Sequence, residues 1–300
     1  MFSAGKREGK HTGSNSLAAL IICLAIMPLA FGCTHYAKWS GADSFNPPAK
    51  ELAQAREKGD KGPVVLLITG SMIVSDFYDV MKKRLEADGF TPVVFQPEDL
   101  FTGSLRDGGA RIGKAVDEVL AETGQDKVLI VAECNGGVAT RYYIEKLGGA
   151  PKVERFITYV SAHHGTTWAG NFNVFPSASE IRPQSGYMKE MNESKPPENG
   201  PLTFSIYICT DEIMKPYTTS MLPGAVNIEI CDADFDARAI KHKHDKERNV
   251  GHLVGDSLVD LYPIHLNVFW DEPFYQLVKA CLTESPEQVK EFNGLKIAVQ

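Results

Sequence analysis

One stretch carries the residue types and spacing for covalent chemistry: Val128-Leu129-Ile130-Val131-Ala132-Glu133-Cys134-Asn135-Gly136-Gly137. An apolar β-branched run predicts a buried strand, the Asn-Gly-Gly segment a sharp turn, and Val138-Ala139-Thr140-Arg141-Tyr142-Tyr143 the start of a helix. A side chain at such a turn sits in strained backbone, so the positions two before and two after it must be small. Ala132 and Gly136 meet that demand around Cys134. The turn would expose the thiol at a helix N-terminus, where partial positive charge favours a thiolate. It would also aim the backbone N–H of Asn135 at a developing oxyanion. These residues suit nucleophilic attack on an acyl carbonyl. The bland alternative is a buried cysteine that merely ends a strand.

The elements needed to hold this turn recur along the chain. Further strand-like runs are 64–68, 93–95, 156–160, 204–208 and 226–230. The early ones lack polar alternation, as strands buried on both faces do. Phe77, Val80, Met81 and Leu85 then repeat with helical spacing, as do Ile112, Val116, Val119 and Leu120. Strands alternating with helices predict an α/β fold with a mainly parallel sheet covered on both faces.

Composition and the leader set the context. Charged residues at 23% and apolar ones at 43% are ordinary globular values, which excludes a disordered or fibrous chain. A net charge of −7, carried by a body more acidic than its basic leader, excludes general nucleic-acid binding. The leader has Lys6, Arg7 and Lys10 ahead of an apolar run over 17–31. That run is short of the ~20 residues of a membrane span but suits a signal-peptide core. It ends in Leu29-Ala30-Phe31-Gly32-Cys33, which resembles a bacterial lipobox with Ala30 where Leu is usual. A lipid anchor on Cys33, an ordinary secretory signal and an uncleaved anchor all place the body outside the cytoplasm. The expected organisation is a signal peptide (1–32), a tether (33–62) with one short helix over 49–57, the catalytic domain (63–283) and a C-terminal tail (284–300). Within it, the charge-dense segment 232–262 reads as a surface insertion. Its His242-Lys243-His244-Asp245 has ligand types, but an HxH pair beside lysines usually marks a solvated loop, so no metal and no cofactor are expected.

From residue 63 to 166 the chain resembles the bacterial class 2 lipases of the α/β-hydrolase fold. Their strand–HG loop corresponds to Thr69-Gly70-Ser71, their GHSMGG or AHSMGG elbow to residues 132–137, their VARYY helix to 138–143, and their SPHHGT segment to Ser161-Ala162-His163-His164-Gly165-Thr166. The likeness continues through Ser185–Asn192, 205–216 and 222–227. The resemblance implies an α/β-hydrolase fold, an acyl ester or lipid substrate, and a nucleophile–acid–histidine triad in that chain order. Three positions depart from the pattern: Cys134 for serine, Glu133 for histidine and Thr69 for histidine.

The acid implied is Asp211, in Ile206-Tyr207-Ile208-Cys209-Thr210-Asp211, with Glu212 as its neighbouring alternative. Two histidines compete for the base. His265 precedes Asp271, Pro273 and the last helix with the family's spacing, whereas His252 lies in a familiar Gly-His-Leu context but farther upstream. The backbone N–H groups of Ser71 and Asn135 would form the oxyanion hole, and His163 and His164 would hold the neighbouring loop. Glu133 opposes a thiolate unless it turns away or meets a cation such as Arg141. The expected activity is an exported esterase-like hydrolase acting on esters or thioesters through Cys134, His265 and Asp211. A cysteine-dependent acyltransferase and a retired hydrolase that binds an envelope lipid or partner remain the alternatives. Cys209, Cys231 and Cys281 could pair in more than one way, and no pairing follows from the sequence.

Overall fold

The structure, a computed structural model, describes residues 48–57, 59, 62–171, 174–243 and 259–300, the side chains of 242 and 243 excepted. Seven strands form one sheet: β1 (Val64–Ile68), β2 (Thr91–Phe95), β3 (Val128–Glu133), β4 (Val153–Tyr159), β5 (Leu202–Ile208), β6 (Val226–Ile230) and β7 (Ile297–Val299). Their order is β2-β1-β3-β4-β5-β6-β7, with β1 to β6 parallel and β7 antiparallel to β6. The chain leaves β1 in one direction to form β2 and returns on its other side as β3. The carboxyl ends of β1 and β3 therefore flank a topological switch point, where open α/β sheets place their ligand sites.

Strand alternation divides the core. Val65 and Leu67 of β1 and Leu129 and Val131 of β3 pack into one apolar cluster; Val64, Leu66, Ile68, Val128, Ile130 and Ala132 pack into the other. Both faces of β1 and β3 are buried, which is why these segments carry no polar alternation. Pro92 is accommodated because β2 is an edge strand.

The helices cover both faces: α1 (Pro48–Glu57), α2 (Asp79–Ala87), α3 (Leu105–Thr123), α4 (Cys134–Lys146), α5 (Gly186–Asn192), α6 (Ala233–Lys243), α7 (Pro263–Asn267), α8 (Glu272–Thr283) and α9 (Pro286–Lys290). On α3, Ile112, Ala115, Val116 and Val119 form the buried stripe, and Gly124, with φ 67°, ends the helix in the left-handed conformation. The expected α/β fold, a mainly parallel sheet between helices, is what the chain adopts.

Three segments are more integrated than the sequence suggested. The helix inside the expected tether is α1, whose Leu52 is core and whose Glu51 accepts from the backbone of Val94 at 2.8 Å. The expected surface insertion supplies α6, with Phe235 buried and Arg238 paired to the buried Asp271 at 2.5 Å. The expected tail supplies α9 and β7, which closes the sheet edge beside β6. Among the described residues no helix is long and apolar enough to cross a membrane. Residues 1–33, with the signal-like run and Cys33, lie outside the described residues, as do His252, His244, Asp245 and the side chain of His242.

Candidate active site

Cys134 follows β3 directly and opens α4, with φ 49°. A non-glycine residue in the left-handed region costs about 1–3 kcal/mol and persists only when its surroundings impose it. Here the imposing element is the loop after β1. A Cβ on Gly136 would run into the carbonyl oxygen of Thr69, so only glycine lets α4 start this close to β1. Cys134 as a residue is half-buried, whereas Cys281 is buried.

The loops after β5 and before α8 bring two more groups to it. Asp211 is fully buried just beyond β5. Its Oδ1 accepts from the backbone N–H groups of Ile213 (2.7 Å) and Met214 (2.9 Å), and its Oδ2 lies 2.7 Å from Nδ1 of His265. His265 itself is 2% exposed on α7. Glu212, the alternative acid, does something else: its two carboxylate oxygens accept from the backbone N–H groups of Ile264 (3.0 Å) and His265 (2.9 Å). Adjacent acids thus divide the work, one gripping the imidazole and the other the backbone that carries it.

The far side of the imidazole holds what sequence reasoning missed. Nε2 of His265 lies 3.3 Å from Oε1 of Glu133, which is 1% exposed. Glu133, Cys134 and His265 cluster, with one ligand-type atom from each residue within 4.8 Å of the others. The cation beside Glu133 is therefore His265 and not Arg141. Arg141 is buried elsewhere, donating to Glu145 (2.8 Å) and to the carbonyls of His163 (2.9 Å) and Met191 on α5 (2.6 Å). The signal was present in the sequence, since a residue beside the elbow with a carboxylate is anomalous. Its partner was not, because that depends on where α7 docks.

Charge in this cluster follows from burial and contact. Burial works against an imidazolium, but the Asp211 carboxylate outweighs it, with Cys134 and Glu133 adding to the effect, and holds His265 well above its ordinary value. Glu133 is raised chiefly by burial, which its contact with His265 only partly offsets. The Cys134 thiol is pushed up by burial and then by Glu133, against lowering contributions from His265 and the backbone N–H of Asn135. The resting site thus favours a neutral thiol beside a protonated imidazole.

The remaining expected residues are accounted for. The side-chain amide of Asn135 donates to Ser71 Oγ at 2.5 Å, and that hydroxyl donates to the Phe101 carbonyl at 2.9 Å, tying the two expected oxyanion-hole residues together across the turn. His163 is buried, its Nε2 3.1 Å from Thr158 Oγ1; burial first and Arg141 second keep it neutral. His164 Nδ1 meets Asn192 Oδ1 at 2.6 Å. Both histidines hold their loop and neither reaches the thiol cluster. Cys209 and Cys231, at the ends of β5 and β6, form a disulfide.

No family model matches the chain. Among solved structures, lipase B of Aspergillus fumigatus superposes with a TM-score of 0.56 at 15% identity, over 79% of this chain and 57% of that one. A Bacillus licheniformis lipase in its mature form gives 0.48 at 17% identity over 56% and 82%. A Listeria innocua gene product gives 0.48 at 15% over 75% and 95%. At these identities the likeness concerns the fold, and the fold is that of the α/β-hydrolases.

Proposed function

We propose that this chain is a lipase-like acyl hydrolase, akin to the class 2 lipases, that cleaves carboxylic ester or thioester bonds through a covalent intermediate on Cys134. The observation that carries the reading is the convergence of Asp211, His265 and Cys134 at the carboxyl end of the sheet, with the thiol on a left-handed elbow.

The chemistry follows from the groups present. The proton on Nε2 of His265 passes to Glu133, whose raised value suits it to hold one. The neutral imidazole then takes the Cys134 proton, and the thiolate attacks the acyl carbonyl. The carbonyl π electrons move onto oxygen, where the backbone N–H groups of Asn135 and Ser71 receive the charge. Collapse expels the alcohol or thiol, which takes its proton from His265. Water, deprotonated by the same imidazole, attacks the enzyme thioester; the carboxylic acid leaves, the expelled thiolate takes the proton from His265, and Glu133 returns its proton to the imidazole. Asp211 keeps the imidazole oriented throughout.

The body acts outside the cytoplasm, anchored through a lipid on Cys33 after signal cleavage. The Cys209–Cys231 disulfide supports an oxidising compartment.

A second reading has one specific observation in its favour. Glu133 occupies the face of His265 that a nucleophile needs, as it would in a retired hydrolase that binds a lipid or partner. Short-chain p-nitrophenyl esters and acyl thioesters separate the two. Turnover should fall by about 10³-fold or more in Cys134→Ala and in His265→Ala, since the pair acts as one unit. Cys134→Ser should retain ester hydrolysis and lose sensitivity to iodoacetamide. Absence of turnover in the parent on every ester and thioester would favour the retired hydrolase, and transfer to an added alcohol in preference to water would favour an acyltransferase.

A further inference from the structure

We propose that Glu133, Cys134 and His265 form a binding site for Zn²⁺ or a cation of similar softness, and that occupancy shuts the nucleophile off.

The donor set is a thiol, an imidazole and a carboxylate, the mixture that selects zinc over calcium or magnesium. Tetrahedral zinc with bonds of about 2.0–2.3 Å needs its ligand atoms roughly 3.3–3.8 Å apart. Nε2 of His265 and Oε1 of Glu133 already stand at 3.3 Å, and the three residues each offer a ligand atom within 4.8 Å of the others, so a thiol movement of at most about 1.3 Å completes the set. The surroundings also match a metal site. His265 directs its other nitrogen to Asp211 at 2.7 Å, the carboxylate–histidine support that fixes ring orientation at zinc centres. Oε2 of Glu133 is buried without a hydrogen-bond partner, which a second metal contact or a reoriented carboxylate would satisfy. Cys134 is half-buried, so the cluster is not sealed in the core as Cys281 is.

Coordination replaces protons. The thiol proton and the proton between His265 and Glu133 leave to solvent as sulfur and nitrogen take the metal. The sulfur lone pair is then committed to zinc, so it cannot attack an acyl group. This inhibitory consequence rests on reading Cys134 as the nucleophile; the binding site itself does not.

The test uses the full chain in detergent, stripped with a chelator and kept free of thiol reductants. Added Co²⁺ should give one equivalent of tetrahedral d–d absorption with a thiolate charge-transfer band in the near ultraviolet. Cys134→Ser should abolish that band and Glu133→Gln should weaken binding by at least about tenfold. His242→Ala and His244→Ala should leave it unchanged. One equivalent of Zn²⁺ should suppress p-nitrophenyl ester turnover about tenfold or more, and chelator should restore it. A charge-transfer band that survives Cys134→Ser, unaltered binding by Glu133→Gln, or turnover indifferent to or raised by Zn²⁺ would overturn the inference. A chain that hydrolyses esters but shows no cobalt band removes the metal site and leaves the hydrolase standing. A Cys134-dependent band on a chain that hydrolyses nothing does the reverse.

Discussion

Glu133 Oε1 stands 3.3 Å from His265 Nε2, so an imidazole already gripped by Asp211 is held between two buried carboxylates. Only the carboxylate on the Nδ1 side is expected of a nucleophile–histidine–acid triad. The second one raises the Cys134 thiol, after burial, and adds to the hold of Asp211 on the imidazolium.

The thiol should report this first. Burial and then Glu133 raise Cys134, and only the thiolate alkylates. The rate of iodoacetamide modification of Cys134 should therefore rise with pH through a midpoint above about 8.5, the value of a free thiol. Glu133→Gln should move that midpoint to lower pH. A midpoint left in place by Glu133→Gln would mean that the carboxylate does not govern the thiol. Cys281, buried and with its own thiol raised chiefly by burial, should react far more slowly.

His265 should make the protein less stable in alkali. Its folded value is raised above the unfolded one of about 6.5, so its contribution is fully present below that pH and is lost as pH rises through the folded value. The melting temperature of the parent, relative to His265→Gln, should show an advantage near pH 6 that shrinks as the pH rises. A difference independent of pH would show that the imidazole contributes by packing alone.

Gly70 is the backbone position that lets Glu133 lie where it does. A Cβ there would run into the Glu133 carboxylate and come within 2.9 Å of the Cys134 Cβ. Gly70→Ala should cost about 1–3 kcal/mol in denaturant unfolding. Its thiol midpoint should shift in the same direction as in Glu133→Gln. An alanine that changes neither quantity would contradict the close packing of these two loops.

Much of this architecture could be read from residue order, for physical reasons that also mark where reading stopped. The strands β1 and β3 are largely apolar because both their faces are buried, and that leaves a plain signature. The elbow was legible because Ala132 and Gly136 answer a local steric demand. Spacing favours His265 over His252; His265 lies beside Asp211, and His252 is outside the described residues. The salt bridge from Glu133 to His265 joins residues far apart in sequence, and no local pattern encodes it. Three-residue β7 carries too few residues to show a period; it exists because β6 leaves an edge to pair. Cys209 pairs with Cys231 because β5 and β6 are neighbours in the sheet, a long-range relationship that no local pattern of residues carries.

That disulfide closes a loop with a sequence separation of 22 and anchors the strand end two residues before Asp211. Cys231→Ser should lower stability by about 3 kcal/mol, from the loop-closure entropy restored to the unfolded chain. Equal unfolding midpoints for the parent and Cys231→Ser under non-reducing conditions would show that the bond does not constrain the chain.

The most direct test is the mass of the enzyme after brief reaction with an activated short-chain ester, quenched in acid and mapped by peptide mass spectrometry. The account predicts one acyl group per chain, carried on the peptide containing Cys134 and released by hydroxylamine as a thioester should be. It should be absent from Cys134→Ala and should form more slowly in His265→Ala, where the thiol lacks its base. Acylation found on another residue, or turnover without any acyl group on Cys134, would contradict the account.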